Sequence, residues 1–199
     1  MTPARTSLRV GRVLRANTRA FTIGCEVLQP DIPAFGSFVR TDRLEHGDET
    51  YGLIYDVSID DDNFVRQFIS ARAPEEVVED QRRNRQVPIE ASILAIGCRT
   101  GGTIRQGLPP QPPITLDWLV TCTDAEIVAF TERLDYIRLV LDARDAPVDE
   151  VLAASLRTAA CARPESERRY FLIDAGREIA RLLAGDPTRL EGVLRRLRP

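Results

Sequence analysis

Hydrophobic positions in the first hundred residues recur at a spacing of two. Phe21, Ile23, Cys25 and Val27 alternate with polar or small residues, which places all four on one face of a strand. Tyr51, Leu53, Tyr55, Val57 and Ile59 repeat the pattern and give the strongest strand signal in the chain. Shorter β-prone stretches lie at 8–15, where the alternation slips after Gly11, and at 36–40. Turn signals separate them: Ala16-Asn17-Thr18, Gln29-Pro30-Asp31 and the polar, acidic stretch 41–50. The strand pattern returns from Ile89 through Ile93, Ala95, Ile96 and Cys98. It reverses at Thr100-Gly101-Gly102 into Thr103-Ile104-Arg105, because paired glycines suit a hairpin turn. Short strands joined by turns predict a small barrel or sandwich, and Gly11, Gly24 and Gly52 mark bends where a barrel closes tightly. Within this region Pro74, Glu75 and Glu76 open a helix near 74–86 that Val87-Pro88 stops.

After Gln106 the periodicity changes. Pro109, Pro110, Pro112 and Pro113 favour an extended connector over 107–117. Trp118-Leu119-Val120 comes next as a short apolar anchor, and Thr123 with Glu126 has the spacing of a capping box. Ile127, Phe130, Leu134, Ile137 and Leu141 are spaced by three and four, which predicts one amphipathic helix over 124–142. Further helices are predicted over 148–160, over 164–183, and at Leu190, Val193, Leu194 and Leu197. The expected fold class is α+β, with a small N-terminal antiparallel β-barrel followed by a C-terminal α-helical region. The expected divisions are a barrel over 1–106 with the inserted helix near 74–86, the connector 107–117, and a helical region over 118–199.

Composition narrows the chemistry more than the fold. The chain has 199 residues, 43% hydrophobic and 29% charged, with a formal net charge of −3. These are ordinary values for a soluble domain. No apolar run approaches the roughly 20 residues of a membrane helix, and the first ten residues lack a signal-peptide core. A cytoplasmic protein without membrane contact is expected. All 27 basic residues are arginine. The absence of lysine excludes a GxxxxGK[ST] phosphate loop, a Schiff base and a Ser-Lys pair. The single histidine, His46, excludes HExxH and any site needing two imidazoles. Cys25, Cys98, Cys122 and Cys161 have no CxxC spacing and read as buried free thiols. No enzyme activity and no cofactor are expected.

Charge is uneven. Residues 1–40 carry six arginines against two acids, and residues 41–80 carry three against twelve. The acidic cluster Asp56, Asp60, Asp61 and Asp62 has the residue types of a Mg²⁺-dependent hydrolase. It is not a calcium loop, because Val65 stands where the glycine is required. A solvated acidic turn is the simpler reading. Arg82, Arg83 and Arg85, and separately Arg195, Arg196 and Arg198, are candidates for nucleic-acid contact. Neither group is interleaved with aromatic residues, so a solvated helix face is simpler for both.

Three segments carry a family resemblance. Val10-Gly11-Arg12-Val13, Gly36-Ser37-Phe38-Val39 and Tyr51-Gly52-Leu53-Ile54-Tyr55-Asp56-Val57 resemble the HAS barrel, the N-terminal barrel shared by HerA-type DNA-translocating ATPases and ATP synthase catalytic subunits. The resemblance covers about residues 7–115, and its motif positions are Gly11, Gly36, Val39, Gly52, Ile54 and Val57. Gly107 to Pro113 also looks like the proline-rich exit from that barrel. In HerA-type enzymes the barrel leads into a lysine-bearing ATPase core. Here a helical region takes that place, so the ATPase activity is not carried over. The resemblance implies the barrel's own role: ring assembly or docking to a protein partner, either a second copy or a HerA-type ATPase or nuclease. Nucleic acid would then be met only indirectly. Two alternatives stand beside this expectation: a barrel that binds single-stranded nucleic acid, and the metal-dependent hydrolase.

Overall fold

The computed structural model describes residues 5–25, 33–42, 48–59, 89–144 and 146–197. Within them the alternating segments form seven strands: β1 (Arg9–Ala16), β2 (Ala20–Cys25), β3 (Phe38–Asp42), β4 (Glu49–Ile59), β5 (Ile89–Thr100), β6 (Thr103–Gln106) and β7 (Trp118–Thr121). All pairings are antiparallel, in the order β2-β1-β7-β3-β4-β5-β6. β2 also pairs with β5, so six strands close into a barrel and β6 extends it as a hairpin arm. The β5–β6 turn is Gly101-Gly102, both at positive φ (56° and 82°), as a two-residue primed turn requires. The expected α+β class, barrel first and helices after, is the one the chain adopts. The helix predicted near 74–86 lies outside the described residues.

The division at 106 does not match the barrel. Trp118–Thr121 is the barrel's sixth wall strand, lying between β1 and β3. Without it both neighbours would expose unpaired backbone edges. The proline-rich stretch is therefore a crossover within the barrel. Its end is fastened to β1, where Leu116 N–H donates to Val13 O at 2.8 Å and Val13 N–H donates to Asp117 O at 3.0 Å.

The barrel interior is filled by Val10, Val13, Phe21, Ile23, Val39, Ile54, Ala91, Ile93 and Leu119. Each of the larger side chains contributes roughly 1.5–3 kcal/mol as an upper estimate. Close wall contacts fix two glycines. A Cβ on Gly11 would lie 2.0 Å from Gly24 O, and one on Gly52 would lie 2.2 Å from Ile93 Cγ2. The single odd-numbered face expected of β4 is broken by the register shift at Ile54/Asp56, where Tyr55 is the extra residue. Tyr51 and Leu53 point outward beneath the helices, Ile54 points inward, and Val57 packs on the interior again. A bulge adds one residue and so reverses the facing of the residues beyond it.

Among the described residues five helices follow: α1 (Asp124–Phe130), α2 (Tyr136–Leu141), α3 (Val148–Cys161), α4 (Glu165–Leu182) and α5 (Pro187–Leu197). The capping box at Thr123 and Glu126 forms as its spacing predicts. The single helix expected over 124–142 is instead two. Gln106, on β6, spans the break: its Nε2 donates to Phe130 O and Arg133 O (2.5 and 2.8 Å), and its Oε1 accepts from Tyr136 N (2.8 Å). One side chain thus satisfies three backbone groups that the break would otherwise leave unpaired. α3 is central and touches all four other helices and β4. Its alanines allow this closeness: a Cβ on Gly36, which has φ of 78°, would lie 2.4 Å from Ala154 Cβ. The outer barrel residues Phe38, Tyr51, Leu53, Leu94 and Ile96 share one core with Phe130, Tyr136, Ile137, Leu152, Phe171 and Ile179 of the helices. No helix among the described residues is long and apolar enough to cross a membrane.

Candidate functional site

Two polar constellations stand on the barrel wall. The first joins the barrel to α1. Alternation along β3 sends Val39 inward and leaves Phe38 and Arg40 facing out. Arg40 Nε donates to Glu126 Oε1 at 2.7 Å, and its Nη1 donates to Glu49 Oε1 at 3.3 Å. Arg99, on β5, contacts the Tyr51 hydroxyl, and its Nη1 lies 3.1 Å from Glu49 Oε2. That last contact is an ion pair without hydrogen-bond alignment. Glu126 Oε2 accepts from Thr123 N–H and from the Thr123 hydroxyl (2.8 and 3.0 Å).

The electrostatics of this cluster are those of a latch. Burial would raise the Glu126 carboxyl, but the Thr123 N–H and the Arg40 guanidinium outweigh it and hold the group below its usual range. Arg40 is held above its ordinary value: burial opposes its charge, and the bond to Glu126 and the charge of Glu49 prevail. Cys122 lies beside the cluster at 2% exposure, and its thiol is pushed up by burial and then by Glu126. A thiol held neutral in this way is a poor nucleophile. Glu126 is committed to fixed donors on both oxygens, and the arrangement fastens β3, β4 and β5 to α1.

The second constellation lies on the open side of the wall. Register aligns Arg12 (β1), Trp118 (β7) and Asp42 (β3) in one outward row. The Arg12 guanidinium carbon lies 3.8 Å from the Trp118 ring centroid and that of Arg9 lies 5.0 Å away, within cation–π range. Arg12 Nη1 also donates to Leu116 O at 3.1 Å, and Arg9 lies 3.9 Å from Asp42. Apolar side chains border the row: Leu14 leans over Gly24, and Ile114 and Leu116 project from the crossover at 59% and 62% exposure.

Of the residues singled out in the sequence, Gly11, Gly36, Val39, Gly52, Ile54 and Val57 all lie in the barrel wall or the turn leading into it. Asp56 is exposed on β4. Asp60, Asp61 and Asp62 lie outside the described residues, as do His46, Arg82, Arg83, Arg85 and Arg198. Among the described residues no three metal-ligating side chains converge. Arg195 pairs with Glu191 at 3.0 Å and Arg196 with Glu150 at 2.5 Å, as on a solvated helix face. The row of Arg9, Arg12 and Trp118 is not apparent in the sequence, because its arginines and its tryptophan stand at opposite ends of the barrel segment. The available signal is a tryptophan at the head of a strand-like tetrapeptide. No protein-family model matches the chain, and a search of curated proteins finds no match.

Proposed function

We propose that this protein is a non-enzymatic assembly or adaptor module whose barrel docks on a HerA-like DNA-processing ATPase or nuclease, or on a second copy of itself. The observation that carries the reading is the open face. A tryptophan, two arginines and exposed leucines form one patch, and Trp and Arg are the residue types that anchor protein interfaces. The resemblance of residues 7–115 to the HAS barrel supports the class of partner. Size-exclusion with light scattering, together with a pull-down using a HerA-type ATPase from the same source, tests it. The expected result is a defined oligomer or captured partner that Trp118→Ala abolishes. A strict monomer that captures nothing refutes the proposal.

One observation favours a second reading, in which the barrel holds single-stranded nucleic acid. Trp118 stands beside two guanidinium groups, and an aromatic ring among arginines is the residue set on which single strands are held. Titration with an oligothymidylate at about 50 and 200 mM salt separates the two readings. Salt-sensitive binding that Trp118→Ala removes supports the second, and the absence of binding at low salt eliminates it.

A further inference from the structure

A cavity of about 450 Å³ opens where the β1–β2 turn meets the end of α2. Small-molecule sites occupy roughly 300–1,000 Å³, so this one is of ordinary size. The fold makes the space by placing small residues where its elements meet. Ala20 pairs with Leu94 at the β2–β5 seam, Ala95 N–H donates to Arg19 O at 2.8 Å, and Ala143 and Ala146 line the space after α2. Leu94, Leu108 and Leu139 supply apolar wall, and Tyr55 supplies an aromatic ring with a hydroxyl.

Two arginines, Arg19 and Arg144, line this space. Arg19 belongs to a turn fixed by Asn17, whose Oδ1 accepts from Arg19 N–H and Ala20 N–H (2.8 and 2.9 Å). Arg144 belongs to the segment after α2. Among the described residues neither guanidinium forms an ion pair. One acid, Asp142, also lines the cavity, and it lies 3.7 Å from Arg138 in an exposed pair. Among the described residues the lining carries two arginines against one acid, a positive balance.

We infer that this cavity is a binding site for a small organic anion: a carboxylate, sulfonate or phosphate head held by Arg19 and Arg144, carried on a flat apolar body that packs against Leu94, Leu139 and Tyr55. Guanidinium groups are well matched to such heads because their planar donors meet two oxygens at once. The site is distinct from the Trp118 patch and does not depend on the assembly role.

The probe is 8-anilinonaphthalene-1-sulfonate, an aromatic sulfonate whose fluorescence reports binding, titrated into the full chain. One saturable site per chain is expected. Arg19→Ala with Arg144→Ala should weaken it at least tenfold, because each removes a charge-assisted bond. Arg169→Ala, an exposed arginine on α4, should leave it unchanged. Phenyl phosphate should displace the probe and benzyl alcohol should not. Ala143→Leu narrows the cavity and should also weaken binding. Should that variant lose its wild-type thermal midpoint, the arginine pair decides alone, since both residues are exposed. Equal affinity in the wild type and the double arginine variant, or equal displacement by the neutral alcohol, overturns the inference.

Discussion

The same barrel wall carries two outer faces with opposite chemistry. On the covered face aromatic meets aromatic. The Phe130 ring lies 5.0 Å from Tyr51, 6.1 Å from Phe38 and 5.7 Å from Tyr136, all between barrel and helices. On the open face aromatic meets cation, with Trp118 against Arg12 and Arg9. Strand periodicity cannot tell the faces apart, since both belong to outward positions. The neighbour that each position finds is what separates them. A ring buried among rings gains from burial and packing. A ring beside guanidinium groups at the surface stays accessible and presents charge with apolar area, which suits recognition. The covered face holds the fold and the open face is free to vary in its contacts.

The largest expected effect comes from breaking the covered face. Phe130→Ala removes a ring exposed to only 1% and leaves a cavity between barrel and helices. A loss of about 3–5 kcal/mol is expected in urea unfolding monitored by far-UV dichroism. Trp118→Ala removes a larger side chain from the open face, yet should cost far less. If the two variants were equally unstable, the contrast between the faces would fail.

The latch beside that core comes next. Arg40 and Glu126 expose only 15% and 18% of their side chains, so Arg40→Ala leaves a half-buried carboxylate without its cation. A cost of about 2 kcal/mol at neutral pH is expected, below the value for a fully buried pair. The sign with pH is fixed by the shifts. Glu126 is held below its unfolded value of about 4.3, so its contribution is present above that pH and is lost as pH falls through the folded value. Arg40→Ala should therefore flatten the acid limb of the stability profile. Cys122 and Tyr51 are both pushed up by burial. Their contribution is complete below their unfolded values, about 8.5 and 10, and falls as pH rises beyond them. Denaturant midpoints across pH 3–11 check both limbs, and an acid limb identical in wild type and variant would remove Arg40 from the latch.

The range of each interaction decides how much of the molecule is legible in its sequence. The strands around Phe21, Tyr51 and Ile93 declare themselves because alternation is local. The Thr123–Glu126 cap does so because both partners lie within one turn. β7 is hidden by its brevity: four residues after a proline-rich stretch do not establish a period, and their partners are on β1 and β3. The break between α1 and α2 is hidden for a related reason. The spacing of Ile127, Phe130, Leu134, Ile137 and Leu141 is helical throughout, and a break is permitted by the Gln106 side chain from a distant strand. The candidate patch is illegible on the same ground. A sequence displays arginine clusters only among chain neighbours, whereas Arg9, Arg12 and Trp118 become neighbours only when the barrel closes.

The smallest stability effect should accompany a large functional one, and Leu116 is the place to see it. Leu116 holds φ of 71°, a left-handed conformation that costs a non-glycine residue roughly 1–2 kcal/mol. Its side chain is 62% exposed, so little burial offsets that cost. Its backbone is held by β1 from both sides of the residue, through Leu116 N–H to Val13 O and Arg12 Nη1 to Leu116 O. Leu116→Gly keeps those bonds and relieves the strain, while the glycine adds roughly 0.5–1 kcal/mol of unfolded-chain entropy. The net expectation is a stability equal to the wild type or higher by up to about 1 kcal/mol. If the open face is the docking surface, the same variant should weaken partner capture through loss of an exposed apolar side chain. Paired urea unfolding and pull-down measurements on Leu116→Gly decide the point. Undiminished capture would move the contact away from the crossover, and a loss of more than about 1 kcal/mol in stability would show that Leu116 belongs to the fold.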